Sequence, residues 1–157
     1  MKKIVTILLA VVAAVTCCFG LAACGGNNSD TLRVGLIALH DSNSTYDKNF
    51  IDAFEAACKA QGVEAVIRTQ IPEDETCKTA AMDLADDGCK LVFADSFGHE
   101  PFLREAAAQY PDVEFCHATG TTTQTDKSLT NFHNAFASIY EGRYLAGVAA
   151  GVKLKAM

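Results

Sequence analysis

The sequence has little basic charge: 13 Lys and Arg stand against 19 Asp and Glu, for a formal net charge of -6. Removing Lys2 and Lys3 with the leader described below leaves 11 basic residues and a net charge of -8. No basic run remains that would follow a phosphate backbone, which argues against nucleic acid as a partner. None of the cysteines forms a C-x-x-C pair, so zinc spacing is absent. There is no G-x-G-x-x-G and no G-x-x-x-x-G-K-[ST], hence no visible cradle for a nucleotide phosphate. There is no G-x-S-x-G elbow either. No catalytic residue, metal or cofactor is assigned on this basis, and the chain reads as a non-enzyme.

What the sequence does have begins at residue 1. Met1-Lys2-Lys3 is a short basic segment, residues 4–19 are an almost unbroken apolar run, and Leu21-Ala22-Ala23-Cys24 follows. A basic start, an apolar stretch and small residues before a cut site make an export signal. The final tetrad resembles the bacterial lipobox, in which the Cys receives a diacylglyceryl thioether and becomes the first mature residue. Residues 1–23 are therefore expected to be a lipoprotein signal peptide, with Cys24 the lipidated residue. Residues 24–31, rich in Gly, Asn and Ser, suit a flexible tether. A competing reading is an uncleaved transmembrane helix over residues 4–23, just long enough to span a bilayer. The small residues ahead of Cys24 favour cleavage. The expected location is the extracytoplasmic face of the cell membrane, held there by the lipid.

Cys17 and Cys18 leave with the signal. Cys58, Cys77, Cys89 and Cys116 remain, widely scattered within apolar patterns. Export permits disulfides, but these spacings suggest no framework, and four free or buried thiols are expected.

From residue 32 the pattern alternates strand and helix. Residues 32–39 (LRVGLIAL) form a dense apolar run, as in a strand buried on both faces. Phe50, Phe54 and Cys58 recur at helical spacing, predicting a helix over 47–61 that stops at Gly62. A strand over 63–69 follows, then a helix that starts at Pro72-Glu73-Asp74 with acids at its positive end and runs to Asp87-Gly88. Residues 91–94 (LVFA) read as the third strand, 100–110 as a helix stopped by Pro111, and 113–116 as the fourth strand. A Thr/Gly-rich loop covers 119–128, residues 129–132 read as a short fifth strand, and 134 to about 153 as a long helix rich in Ala and Gly. Such alternation predicts an α/β fold, a doubly wound parallel sheet covered on both faces and flavodoxin-like in form. One domain, residues 32–157, accommodates it.

Ligands of such sheets collect beyond the carboxyl ends of the strands. The segments leaving those ends are 40–47, 95–100 and 117–123, the most polar and least periodic in the domain. Cys116 and His117 are neighbours in a strand and point to opposite faces, so they do not form a dyad. Residues 41–45 with Asp52 resemble a calcium loop only loosely, since Tyr46 stands where the turn needs Gly. The candidate ligand-binding set is therefore Asp41, Asn43, Tyr46, Asn49, Asp95, Ser96, Phe97 and His117, with His99 nearby. Aromatic faces stack on flat ligands, while carboxylates and amides hold hydroxyls and ring nitrogens. Against this, Asp95 and Ser96 are also the residue types that cap a helix, and Phe97 suits a core.

Phe93-Ala94-Asp95-Ser96-Phe97-Gly98, Tyr110-Pro111-Asp112-Val113-Glu114-Phe115, His117-Ala118-Thr119-Gly120 and Ile139-Tyr140-Glu141-Gly142-Arg143-Tyr144-Leu145-Ala146-Gly147 together resemble the basic membrane protein family. These are purine-nucleoside-binding lipoproteins that serve ABC transporters. The resemblance runs from about residue 32 to 153. It implies a periplasmic-binding-protein fold with two hinged lobes, a nucleoside-like small-molecule ligand, a membrane permease as partner, and a lipid anchor on the membrane. It also implies that residues 43–46 and Ser96-Phe97 face the ligand, and that residues 139–147 pack closely near the hinge. The first-loop sequence His40-Asp41-Ser42-Asn43-Ser44 differs from better-known members. The family continues into a second lobe, so residues 32–157 are expected to be the N-terminal lobe alone. A lipoprotein sensor, or a surface lipoprotein without a transport role, is the alternative.

Overall fold

The computed structural model describes residues 31–157. The leader, Cys24 and nearly all of the tether lie outside the described residues.

Strand β1 (Arg33–Ile37) leads into helix α1 (Thr45–Gln61), and β2 (Glu64–Arg68) into α2 (Glu75–Asp86). Strand β3 (Cys89–Ala94) is followed by a 3-10 turn over Phe97–His99 and by helix α3 (Glu100–Gln109). Strand β4 (Glu114–Ala118), a second 3-10 turn at Thr122–Gln124, β5 (Phe132–Ala135) and α4 (Ile139–Lys155) complete the order. All five strands are parallel, in the order β2-β1-β3-β4-β5. This is the α/β arrangement expected from the sequence.

Local chemistry sets the element ends. Ser44 caps α1 by accepting from the Asp47 amide, which starts the helix at Thr45 rather than at 47. Gly62 closes it with φ 67°, a left-handed conformation natural to glycine. Asp74 caps α2 by accepting from Thr76 at 2.8 Å, so Glu73 falls outside the helix that the sequence reading began at Pro72.

Ile37, Leu84, Val92, Leu103 and Phe115 fill the core between the sheet and α2 and α3, with Ala80, Ala81, Ala106 and Ala107 letting the helices approach. Each large side chain buried there stabilises the fold by roughly 1.5–3 kcal/mol. Gly35 is part of that approach, since a Cβ there would lie 2.9 Å from a Leu84 methyl. A smaller cluster of Leu36, Ala38 and Ile51 joins α1 to the opposite face. Cys58, Cys77, Cys89 and Cys116 are free thiols, and burial pushes Cys77 up to about 12.

The largest boundary differences from the sequence pattern fall at the last strand and the last helix. Strand β5 begins at Phe132, where residues 129–132 were expected, because Leu129 packs from the loop and Asn131 is a polar anchor. The two N–H groups of the Asn131 amide are shared among the carbonyls of Ala107, Tyr110 and Val113, at 2.9–3.0 Å. Pairing with β4 then uses residues 132–135, and α4 starts at Ile139 instead of 134. Helix α4 contributes no buried residue, and Tyr140, Tyr144, Leu145, Val152 and Leu154 are each at least 66% exposed. Among the described residues no helix is long and apolar enough to cross a membrane.

Candidate functional site

The chain leaves β1 toward β2 on one side and later lays β3 on the other, so the crevice between the ends of β1 and β3 is the topological switch point. Asp95, one residue past β3, closes this crevice. Its amide donates to Ile37 at 3.2 Å, and its Oδ1 accepts from the Leu39 amide at 3.2 Å.

Beside this closure lies an open cavity of about 620 Å³. Tyr46, Asn49 and Phe50 of α1 form one wall, Phe93 of β3 lies next to them, and Ala118 and Thr119 follow from β4. Ala135, Phe136, Ala137 and Ile139 complete the lining. Tyr46 and Phe50 lie one helical turn apart with ring centroids at 5.1 Å, and Phe50 is 6.2 Å from Phe93. The aromatic groups thus form a continuous band. The Asn49 amide donates to the Thr45 carbonyl at 2.7 Å. Thr119 has φ 67°, unfavourable for a β-branched residue, and its buried hydroxyl has no partner among the described residues. Strain of this kind gathers at binding sites.

Two carboxyls lie beneath Tyr46. Asp47 is 1% exposed and accepts from the His40 amide at 2.8 Å, from the His40 ring at 3.1 Å and from the Ser44 hydroxyl. Burial acts to raise its pKa, but these donors outweigh it and hold the carboxyl below the usual aspartate range. Asp95 is fully buried with a single amide on its carboxyl. Burial, and then the Asp47 charge, push it up to about 7.

A second polar group ties the neighbouring loops. Glu73 accepts from the Ser96 hydroxyl at 2.6 Å and the Gly98 amide at 2.8 Å, and both bonds hold it below the ordinary glutamate range. A Cβ on Gly98 would fall 2.4 Å from that carboxyl carbon, so a larger residue there would push the Glu73 carboxyl out of this position. The His117 Nε2–H donates to the Ser96 carbonyl at 2.7 Å, joining the ends of β4 and β3. Glu100 accepts from Thr122 at 3.1 Å and Asn134 at 2.9 Å, and Asn134 in turn accepts from Thr123, which fixes the segment carrying Thr119.

Of the eight residues read from the sequence, only Tyr46 and Asn49 line the cavity. Asp95, Ser96 and His117 are buried beneath the edge. Ser96 stands at the N-cap of the 3-10 turn but makes no side-chain capping bond, and the Asp95 carboxyl turns back to Leu39, so neither side chain caps a helix. Phe97 is 70% exposed, which excludes a core role, but it stands on the turn outside the cavity wall. Asp41 accepts from Asn43 and Gln70 and organises the first loop. Asp52 pairs with Lys48 at 2.7 Å, away from any calcium arrangement with Asp41. Phe50, Phe93, Thr119 and Phe136 also line the cavity, although the sequence pattern does not mark them as site residues. Phe50 had a visible signal, being the i+4 neighbour of Tyr46. Among the described residues no group of three or more His, Cys, Asp or Glu is placed to hold a metal ion.

Comparison with known proteins agrees with this architecture. A purine-binding protein of Brucella abortus (strain 2308) is 36% identical over 126 residues, covering 77% of this chain and 34% of that protein. A Haloferax volcanii protein named for ABC-transporter glucose binding is 39% identical over 62 residues, covering 40% of this chain and 15% of its own length. Among solved structures, an ABC transporter solute-binding protein from Conexibacter woesei superposes with a TM-score of 0.59 at 23% identity, covering 68% of this chain and 35% of that one. The chain thus spans about a third of the Brucella and Conexibacter proteins. Residues 36–157 match the family described as ABC transporter substrate-binding protein PnrA-like, and the chain belongs to that family.

Proposed function

We propose that the complete protein is a lipid-anchored, extracytoplasmic solute-binding protein that delivers a purine nucleoside or related flat heterocycle to an ABC transporter permease. The observation that carries this reading is the aromatic band of Tyr46, Phe50, Phe93 and Phe136 around a cavity of about 620 Å³. That volume falls within the range of small-molecule sites, and ring faces favour a planar ligand. Asn49 supplies an exposed polar contact, and Thr119 a second once its buried hydroxyl turns toward the cavity. The purine-binding relative supports the same ligand class. The site is a binding site, not a catalytic one.

A second lobe closes on this cavity in the complete protein and covers the apolar surface of α4. Pockets bury most of a ligand's surface, and closure of two hinged lobes provides this from both sides. Cys24 carries the lipid, and mass spectrometry of the mature N-terminus checks it: a modified Cys24 is expected, and an intact Met1 ends the lipoprotein reading.

Thermal-shift screening of the full-length gene product against nucleosides, bases, sugars and amino acids tests the ligand. Nucleosides or bases are expected to raise Tm. Stabilisation by glucose or other sugars alone replaces this reading with a sugar-binding one.

A further inference from the structure

Asp47 and Asp95 bring two buried carboxyl groups side by side without matching donors. Asp47 has three: the His40 amide, the His40 ring and the Ser44 hydroxyl. Asp95 has one, the Leu39 amide on Oδ1, while its Oδ2 is buried and unpartnered among the described residues. Consecutive amides, those of Leu39 and His40, hold the Asp95 and Asp47 carboxyls, which sets the two side chains next to each other. A bare carboxylate oxygen buried against a second carboxylate pays both desolvation and repulsion. A single proton between them removes both penalties.

We propose that Asp95 keeps a proton on Oδ2 and donates it to Asp47, so that the two side chains form one buried acid pair that fastens the β1–α1 loop and Tyr46 to the end of β3. The connections converge on Asp95. Its Oδ1 holds Leu39, its main-chain carbonyl accepts from the Tyr46 hydroxyl at 3.2 Å, and its Oδ2 proton holds Asp47, the residue next to Tyr46. Asp47 in turn holds the His40 amide. Asp95 is thus a positioning residue for the aromatic wall and does not itself line the cavity.

The charged and titratable groups facing the pair come from each surrounding element. Tyr46 adjoins it from α1 and His40 from the β1–α1 loop, while His99, beyond β3, senses the Asp47 charge. Among the described residues His40 is the only basic side chain paired with either carboxyl, and it is paired with Asp47. No cation therefore compensates Asp95 when it ionises. Loss of its proton places two negative charges in a space from which water is excluded, and the loop unfastens. The raised pKa of Asp95, about 7, puts this event near neutrality. This inference deepens the cavity reading and depends on it only for the role of Tyr46 as a ligand platform.

The test uses the full chain without any ligand, so that failure of the nucleoside assignment leaves it intact. Carbon-13 carboxyl NMR is expected to show Asp95 titrating near pH 7. Amide protection of Leu39 and His40, corrected for intrinsic exchange, is expected to fall as pH rises above that point. The fall approaches about tenfold per pH unit, as linkage to one proton requires. Asp95→Asn offers an amide N–H to Asp47 at every pH and is expected to keep full protection from pH 6 to 8. Asp95→Ala is expected to lose it throughout. An Asp95 carboxyl that titrates near pH 4 overturns the proposal, as does an Asp95→Asn profile matching wild type or Asp95→Ala. If Asp95→Ala does not fold, the wild-type titration and the Asp95→Asn profile decide.

Discussion

The hydroxyl of Tyr46 donates to the main-chain carbonyl of Asp95 at 3.2 Å, so an aromatic ring on α1 is tied at its tip to the end of β3. Burial, with the nearby Asp95 and Asp47 charges, raises the phenol pKa and keeps it a donor. Tyr46→Phe retains the ring and removes the tie. It is expected to cost about 1 kcal/mol in urea unfolding, the usual net worth of one hydrogen bond. Tyr46→Ala removes the platform as well. If the two variants bind a nucleoside equally well, the ring is not a platform.

Asn131 carries more stability than its position in a loop suggests. It is 6% exposed, and its amide serves three main-chain carbonyls at the end of α3 and the start of β4. Asn131→Ala strands those acceptors, at about 1–3 kcal/mol for each that water does not reach. The expected loss is at least about 2 kcal/mol. Asn131→Asp, which cannot donate, is expected to be no better. A loss within about 0.5 kcal/mol, the range of an ordinary surface change, would refute this account.

Acid should loosen the fold before most carboxylates titrate. His99 donates from Nε2 to the Ile71 carbonyl at 2.9 Å and His117 to Ser96, both rings fully buried with Nδ1 unpartnered among the described residues. Burial lowers both pKa values below 6.5. Their stabilisation is present above pH 6.5 and is lost as pH falls toward the folded values. Asp95 acts in the opposite sense. Its raised folded pKa makes its contribution greatest in acid and lost as pH rises through about 7. A unit or more below pH 6.5, while the folded rings stay neutral, two histidines oppose one aspartate, and net uptake on unfolding approaches one proton. Urea midpoints should then fall on acidification with a limiting slope of about 1.4 kcal/mol per pH unit. Asp95→Asn should steepen the fall toward twice that. A profile flat from pH 7 to 5 in both proteins would show that the histidines are not held neutral.

The sheet was legible in the sequence because strands buried on both faces write themselves as apolar runs, as in LRVGLIAL and LVFA. Helix α1 was legible from Phe50, Phe54 and Cys58, and its end from Gly62. The fifth strand was misplaced because β5 is an edge: His133 faces outward to pair with Glu114 at 2.7 Å, and Asn134 turns into the loop network. An edge strand with polar duties lacks the signal that marks a central one. The edge that carries the cavity was also legible, from its polarity. Which side chains line it was not. Phe50 and Phe93 read as core, since periodicity reports that a residue faces inward and not whether anything is packed against it. Asp95 read as a ligand-edge residue, since its burial goes with contacts to Ile37 and Leu39, which are distant in sequence.

Thr119 should separate stability from binding most cleanly. Its φ of 67° sets a β-branched residue in the left-handed region, at a cost of about 1–2 kcal/mol. The conformation is held because the Thr119 amide donates to the Ala135 carbonyl at 3.0 Å while Glu100 and Asn134 fix the loop behind it. What the strain achieves is a threonine on the cavity wall whose buried hydroxyl has no partner among the described residues, so that a turn of χ1 offers it to a ligand. Thr119→Gly adopts the same backbone without strain, although glycine gives up about 0.5–1 kcal/mol of that gain in chain entropy. A net stabilisation of up to about 1 kcal/mol is expected in urea unfolding. In the full-length protein the same change removes a hydrogen bond to the ligand. A lost neutral bond of about 0.5–1.5 kcal/mol corresponds to a roughly two- to twelve-fold weaker Kd for a nucleoside by calorimetry. Thr119→Ser keeps the hydroxyl and should restore affinity. If Thr119→Gly is stabilised and binds as tightly as wild type, the hydroxyl does not meet the ligand; if it is destabilised, the threonine side chain is holding the loop and the strain serves the fold.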